Sequence, residues 1–182
     1  MALTKTPVCD FGKKAEDFKL KSIENKLISL NDVKGEKATL IMFICNHCPY
    51  VKAIIRDLAK DCNELKKDGI NSVAIMSNDT KNYPEDSFDN MIKFAKANDF
   101  GEINYLIDET QEIAKKYGAV CTPDFFGYNK DLKLQYRGRF RELKDLKPIL
   151  SGDSDLKVAM KMISGTQAGP KEQTPSMGCN IK

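Results

Sequence analysis

The chain has 182 residues, 41% of them hydrophobic and 30% charged, enough to fill one core and cover it with a polar surface. Its 29 basic and 26 acidic residues leave a net charge of +3, too mild for a nucleic-acid-binding face. The longest strongly apolar run, Leu40 to Cys45, is far shorter than the roughly 20 residues that span a bilayer, so neither nucleic acid nor membrane is an expected partner.

The start, MALTKTPVCDFGKK, lacks the apolar stretch of a secretory signal, which gives the expectation of a cytoplasmic protein. Residues 16–30 alternate polar and apolar around Glu24-Asn25, the pattern of a β-hairpin turning near Asn25. Residues 32–36 then read as a loop. Ala38 to Cys45, ATLIMFIC, is continuously apolar at strand length and is the expected centre of the sheet, buried on both faces. Beyond it Val51, Ile54, Ile55, Leu58, Cys62 and Leu65 recur at steps of three and four, predicting an amphipathic helix over 49–67 that Asp68-Gly69 ends. Pro49 suits its first turn, where a missing N–H costs nothing.

Ile70 to Ser77 predicts a second buried strand, and 78–86 a polar loop. A helix over 87–100 would turn Phe88, Met91, Ile92, Phe94 and Ala95 inward. A short strand at 103–108, a short helix at 110–117, an antiparallel hairpin of 124–128 with 132–138, and a helix over 153–163 complete the order. Strands alternating with helices imply one α/β domain over 1–163. Its central mixed sheet would carry helices on both faces, with the hairpin as an N-terminal extension. Residues 164–182, rich in Gly, Pro, Ser and Thr without a period, read as a tail with no core of its own.

Six cysteines stand at 9, 45, 48, 62, 121 and 179, well below the roughly 8–10% of a disulfide scaffold. In a reducing compartment a closely spaced pair serves metal or redox chemistry. Cys45 and Cys48 fall where the central strand ends and the helix begins. Orphan N–H groups and the positive helix end favour a thiolate there, and the thiolate is the nucleophile of thiol chemistry. Three positions apart, the two sulfurs can close a small disulfide loop. His47, the single histidine, lies between them. Beside Cys45 its imidazole would stabilise the thiolate and make the disulfide more oxidising; the plainer alternative is an exposed histidine without a role. A zinc knuckle needs four N or S ligands, and there is neither a second CxxC nor another histidine, so no metal is assigned.

CNHCP at a strand-to-helix junction, the β-α-β that follows, and Cys121-Thr122-Pro123 before the final hairpin resemble the thioredoxin superfamily. The N-terminal hairpin and the insertion around 78–109 are similar to its redoxin branch, which groups TlpA- and ResA-like thiol-disulfide oxidoreductases with AhpC/TSA peroxiredoxins. The resemblance covers about residues 12–163. It implies a thioredoxin-like fold and a thiol-disulfide oxidoreductase in which Cys45 attacks, Cys48 resolves, Pro123 is a cis-proline facing them, and the backbone of Thr122 pairs with an extended substrate. The partners it implies are protein or small-molecule disulfides, or peroxides, and a thiol reductant such as a thioredoxin or glutathione system; no cofactor is implied.

The sequence departs from these patterns at Ile44, where thioredoxins usually have Trp, and at Asn46-His47, which replaces Gly-Pro. The strand ATLIMFIC carries no acid of the kind that serves thioredoxin in proton transfer. Against the peroxiredoxin pattern PxxxTxxC followed by Pro, Cys48-Pro49 fit the end, while Cys45 and Ile41 replace the Thr and the first Pro. The alternative is therefore a thiol peroxidase with Cys48 as peroxidatic thiol. A third reading is a noncatalytic metal- or partner-binding module. Sco-type copper chaperones use CxxxCP and a distant histidine, and this chain has neither.

Cys121 lies two residues before Pro123, as a third redox thiol or a small buried side chain. The stretch from Gly165 to Cys179 reaches roughly 45 Å when extended, enough to bring Cys179 back to the pair as a resolving thiol or to leave it free in the tail. Cys62 falls on the inner helix stripe, and Cys9 receives no role.

Overall fold

The computed structural model describes residues 3–182. After β1 (Leu3–Lys5), strands β2 (Lys19–Ser22) and β3 (Leu27–Ser29) form the hairpin, with Asn25 at φ 60° in its turn. A one-turn helix, α1 (Leu30–Val33), spans the end of the stretch read as the hairpin and the start of the segment read as a loop. Ser29 and Asp32 cap it reciprocally, Ser29 Oγ accepting from the Asp32 N–H and Asp32 Oδ2 accepting from the Ser29 N–H.

The remaining elements are β4 (Ala38–Phe43), α2 (Pro49–Lys66), β5 (Ile70–Met76), a 3₁₀ turn at Pro84–Asp86, α3 (Phe88–Ala97), β6 (Asn104–Ile107), α4 (Glu112–Tyr117), β7 (Cys121–Thr122), β8 (Asp124–Asn129), β9 (Leu134–Tyr136), the small ribbon β10 (Leu143–Lys144) and β11 (Lys147–Pro148), α5 (Asp155–Thr166) and β12 (Met177–Asn180).

The main sheet runs β3-β2-β6-β5-β4-β8-β9. Its centre, β6-β5-β4, is parallel, and antiparallel strands flank it on both sides. Every residue of β4 is buried, which is why this strand shows no polar alternation. Its side chains divide between two cores. Leu40 and Met42 meet α2 and α5 on one face, while Ile41 and Phe43 meet Val33, Ile113 and Tyr117 on the other. This is the thioredoxin-like arrangement, a mixed sheet with helices on both faces.

Two expectations need correction. Ile92, placed on the inner side of α3, is 39% exposed, and Phe88 and Phe94 are only partly covered; Met91 and Ala95 are the buried pair. The helix packs on the edgeward strand β6 and the preceding 3₁₀ turn, so only a narrow stripe is covered. Second, residues 164–182 are not a loose tail. Strand β12 forms a second sheet between β1 and β7, and Ser176 and Cys179 are buried. Short polar strands of this kind lack periodicity because neighbouring chain, not their own apolar face, holds them.

Candidate active site

Register brings the site together. Strands β4 and β8 pair antiparallel with Phe43 opposite Asp124, so continuing two residues past the end of β4 sets Cys45 against Thr122. On its other side β7 pairs with β12, Thr122 opposite Cys179. Thr122 thus stands between two cysteines distant in sequence. The Thr122–Pro123 peptide bond is cis.

The sulfurs converge on this point. Cys45 Sγ lies 3.5 Å from Thr122 Oγ1, and Cys48 Sγ lies 3.2 Å from the Thr122 carbonyl oxygen and 3.2 Å from Cys179 Sγ. All three thiols are buried. Cys45 and Cys48 stand close enough that the protonation of each sulfur depends on the other.

Position decides which sulfur is the more readily ionised. Cys48 is the N-cap of α2, with Pro49 in the first turn. The Cys45 S–H, then Cys179, the Val51 N–H and Thr122 hold its thiol down to about 4 against the cost of burial. The carbonyl oxygen of Thr122, which accepts from the Cys48 thiol, opposes a thiolate here, as burial does. Cys45 is driven far above the ordinary thiol range by the hydrogen bond it gives to Cys48, by burial and by the nearby charge of Asp86. Burial, with Cys48 beside it, pushes Cys179 up to about 11.

A buried carboxyl group organises the opposite side of the CxxC loop. Asp86, at the end of the 3₁₀ turn, is 0% exposed. Its Oδ1 accepts from the backbone N–H groups of Asn46 at 2.8 Å and His47 at 3.3 Å. Its Oδ2 lies 2.7 Å from His47 Nδ1 and accepts from Asn78 Nδ2 at 2.8 Å. The Tyr105 hydroxyl donates to Asn46 Oδ1 at 2.9 Å, and the Tyr83 ring stacks on the imidazole. His47 is therefore held as a positioned group, with little freedom to swing.

The AhpC/TSA family profile matches residues 11–137. The chain belongs to the AhpC/TSA family. It is 40% identical to an uncharacterized conserved protein from Geobacillus kaustophilus, over 100% of this chain and 96% of that one, with a TM-score of 0.94. A hypothetical protein from Sinorhizobium meliloti 1021 is 36% identical over 98% and 97% of the two chains, with a TM-score of 0.90. The thioredoxin domain of a thiol-disulfide oxidoreductase from Bacteroides vulgatus shares the fold, with 18% identity over 70% of this chain and 86% of that one and a TM-score of 0.59. No curated protein matches the sequence. Membership points to thiol-based redox chemistry, with thiol or peroxide substrates and a reductant.

In this AhpC/TSA protein the structure gathers Cys45, His47, Cys48, Thr122, Pro123 and Cys179 around one point. Cys121 is buried, but its thiol donates to the Pro123 carbonyl at 3.6 Å and points into its own loop. Burial foremost, with the Asp124 charge, raises it far above the ordinary range, which suits a packed side chain. Cys62 is buried in the core and Cys9 is half-buried, held up at about 11 chiefly by burial.

The thiolate expected on Cys45 is favoured on Cys48, because Cys48 caps the helix while Cys45 faces Asp86. Asp86, Asn78 and Tyr105 were not found from the sequence. Asp86 stands in a polar stretch with Asp79 and Glu85, and nothing local separates the buried acid from its exposed neighbours.

Sulfur of Cys45, a ring nitrogen of His47 and an oxygen of Asp86 lie within 4.8 Å of one another. Asp86 already accepts four hydrogen bonds, so the trio reads as a fixed negative charge beside Cys45 more readily than as a ligand set. Asp86→Asn is expected to shift alkylation of Cys45 to lower pH, since it removes a negative charge that holds the proton on that sulfur. Peptide-resolved alkylation across pH measures this; an unmoved Cys45 profile would mean that the charge is not felt there.

A cleft of about 460 Å³ opens beside Pro123, lined by Tyr50, Ile54, Phe140 and Met177. No helix among the described residues is long and apolar enough to cross a membrane.

Proposed function

We propose that this protein is a thiol-disulfide oxidoreductase whose redox pair is Cys45 and Cys48. One observation carries the reading: Cys45 and Cys48 stand at the start of α2 with both sulfurs against Thr122 and with Cys48 at the helix N-cap, where a thiolate is favoured. A thiolate for attack and a protonated partner three residues away are the two components that disulfide exchange requires.

The Cys48 thiolate attacks one sulfur of a client disulfide. The client S–S bond breaks, a mixed disulfide forms on Cys48, and the released client thiolate takes up a proton. Cys45 then loses its proton and attacks the Cys48 sulfur. The second client thiolate leaves, and two electrons have passed from the Cys45–Cys48 dithiol to the client. The reverse sequence oxidises a client dithiol. Cys48 attacking and Cys45 resolving inverts the order implied by the resemblance to thioredoxins. Because the fold stabilises a thiolate, it stabilises the reduced pair and makes the disulfide more oxidising. A dithiol protein or glutathione would supply or remove the electrons.

Peroxide reduction at Cys48 is the second reading, favoured by one fact: its sulfur is 0% exposed, which admits a small oxidant more easily than a protein. The fully reduced protein, given one equivalent of either oxidised glutathione or hydrogen peroxide, separates the two by timed alkylation and peptide mass mapping. The expected result is faster loss of the Cys48 thiol with glutathione disulfide, through a glutathione adduct on Cys48. Faster reaction with peroxide through a Cys48 sulfenate would establish the peroxidase instead, and no reaction with either would overturn both.

A further inference from the structure

We propose that Cys179 is a third redox residue of this site: disulfide exchange transfers the bond from Cys45–Cys48 to Cys48–Cys179, and that bond staples strand β12 over the thiols. The inference rests on the Cys45–Cys48 reading and extends it to a segment beyond the 11–137 match to the family.

The juxtaposition is built by several independent contacts. Cys179 Sγ is 3.2 Å from Cys48 Sγ although 131 residues separate them. Strand β12 is anchored on both sides of the cysteine. Ahead of it, the Thr6 N–H donates to the Ser176 carbonyl at 2.9 Å, the Ser176 N–H donates to Thr6 Oγ1 at 3.0 Å, and Ser176 Oγ donates to the Pro123 carbonyl at 2.8 Å. Behind it, the Lys182 N–H donates to Asn78 Oδ1 at 2.8 Å, and the Asp79 N–H donates to the Lys182 carbonyl at 3.0 Å. Asn78 is the same side chain that donates to Asp86, so the segment is tied into the network under the CxxC loop.

Gly178 sets the depth of docking. A Cβ there would stand 2.0 Å from the Thr122 carbonyl oxygen and 2.7 Å from its carbon, so only glycine lets the strand approach closely enough to deliver the next residue to Cys48. The thiol delivered there is 4% exposed and faces the one sulfur that belongs to both disulfides.

The exchange is balanced without an added oxidant. The Cys179 sulfur attacks Cys48 of the oxidised pair, the Cys45–Cys48 bond breaks, the Cys48–Cys179 bond forms, and the proton of Cys179 ends on Cys45. The two-electron oxidation has already been supplied by the client disulfide or peroxide. Cys45, whose surroundings favour the protonated thiol, ends as the thiol, which favours the transferred bond at equilibrium. The same edge of β7 that a client strand would have to use is then covalently occupied, so oxidation closes the site until a reductant reopens it.

Trypsin makes the outcome legible, because Cys45 and Cys48 share the peptide 38–52 whereas Cys179 lies in 172–182. The protein is oxidised with one equivalent of oxidised glutathione, alkylated and digested. The expected product is 38–52 joined to 172–182, with Cys45 alkylated; Cys45→Ser should give the same joined peptides, and Cys179→Ser should give 38–52 with an internal disulfide. An internal disulfide in the unmodified protein, with Cys179 alkylated, would overturn the transfer and leave the Cys45–Cys48 reading standing. No disulfide in any of the three proteins would sink both. Gly178→Val provides a second check without touching a cysteine: its joined peptide should be largely lost in favour of the internal disulfide, and an undiminished joined peptide would show that docking of β12 does not deliver Cys179.

Discussion

Cys48→Ser is expected to reduce disulfide exchange by roughly three orders of magnitude, the scale on which the loss of a covalent nucleophile acts. The stronger test is its effect on pH dependence. With its thiol held down to about 4, Cys48 is already a thiolate at pH 6, whereas an ordinary thiol is then only about 0.3% ionised. Alkylation of the native protein by a small reagent should therefore have a component that is flat from pH 6 to pH 8. In Cys48→Ser that component disappears, and what remains falls roughly a hundredfold between pH 8 and pH 6. If Cys45→Ser rather than Cys48→Ser removes the flat component, the thiolate resides on Cys45 and the order of attack is the reverse of that proposed.

The second large effect concerns stability. Arg137 and Asp124 form a nearly buried ion pair just after Pro123: Arg137 donates through Nη2 to Asp124 Oδ2 at 3.0 Å and to the Gly118 carbonyl at 2.7 Å, and the Val120 N–H donates to the same carboxyl group at 3.1 Å. The guanidinium also lies 4.5 Å from the centre of the Phe126 ring. Arg137→Ala leaves Asp124 buried without its cation, at a cost of about 3–5 kcal/mol, measured by urea unfolding at pH 7.

The sign of its pH dependence follows from Asp124. Burial raises that carboxyl above its ordinary value even with Arg137 present, and removing the cation raises it further. In the variant the native state then holds a proton that the unfolded chain has released, between the ordinary value of 3.8 and the raised one. Stability in that window rises as pH falls, so the deficit should shrink toward mild acid. A deficit independent of pH would mean that lost packing on Phe126, not the stranded charge, dominates. Replacing both partners, Asp124→Asn with Arg137→Met, should cost less than Arg137→Ala alone. The pair matters to the site because it holds the loop that presents Thr122.

The sequence by itself determined the order of the larger elements from the N-terminal hairpin to α5, because each has a local cause, while the short α1, the 3₁₀ turn at Pro84–Asp86 and the β10–β11 ribbon had no such signal. ATLIMFIC is apolar throughout since β4 is buried on both faces, and the three- and four-residue spacing from Val51 to Leu65 is the inward face of α2. It also located the CxxC pair at a strand-to-helix junction and Thr122-Pro123 downstream, since both are contiguous motifs. Ile92 misled because an amphipathic stripe shows which face can be buried, not how wide a surface the neighbours provide.

Which of the two sulfurs is the more readily ionised depends on the tertiary structure, because Asp86 reaches Cys45, and Thr122 and Cys179 reach Cys48, from other elements. Asp86 could not be told from the acids around it, since burial is a property of the assembled loop. Residues 164–182 have no period because β12 is held by hydrogen bonds to β1 and β7 and by the close approach at Gly178. Such contacts are set by register between strands more than a hundred residues apart from one another in sequence, or nearly sixty in the case of β7, and no local pattern in the chain encodes that register.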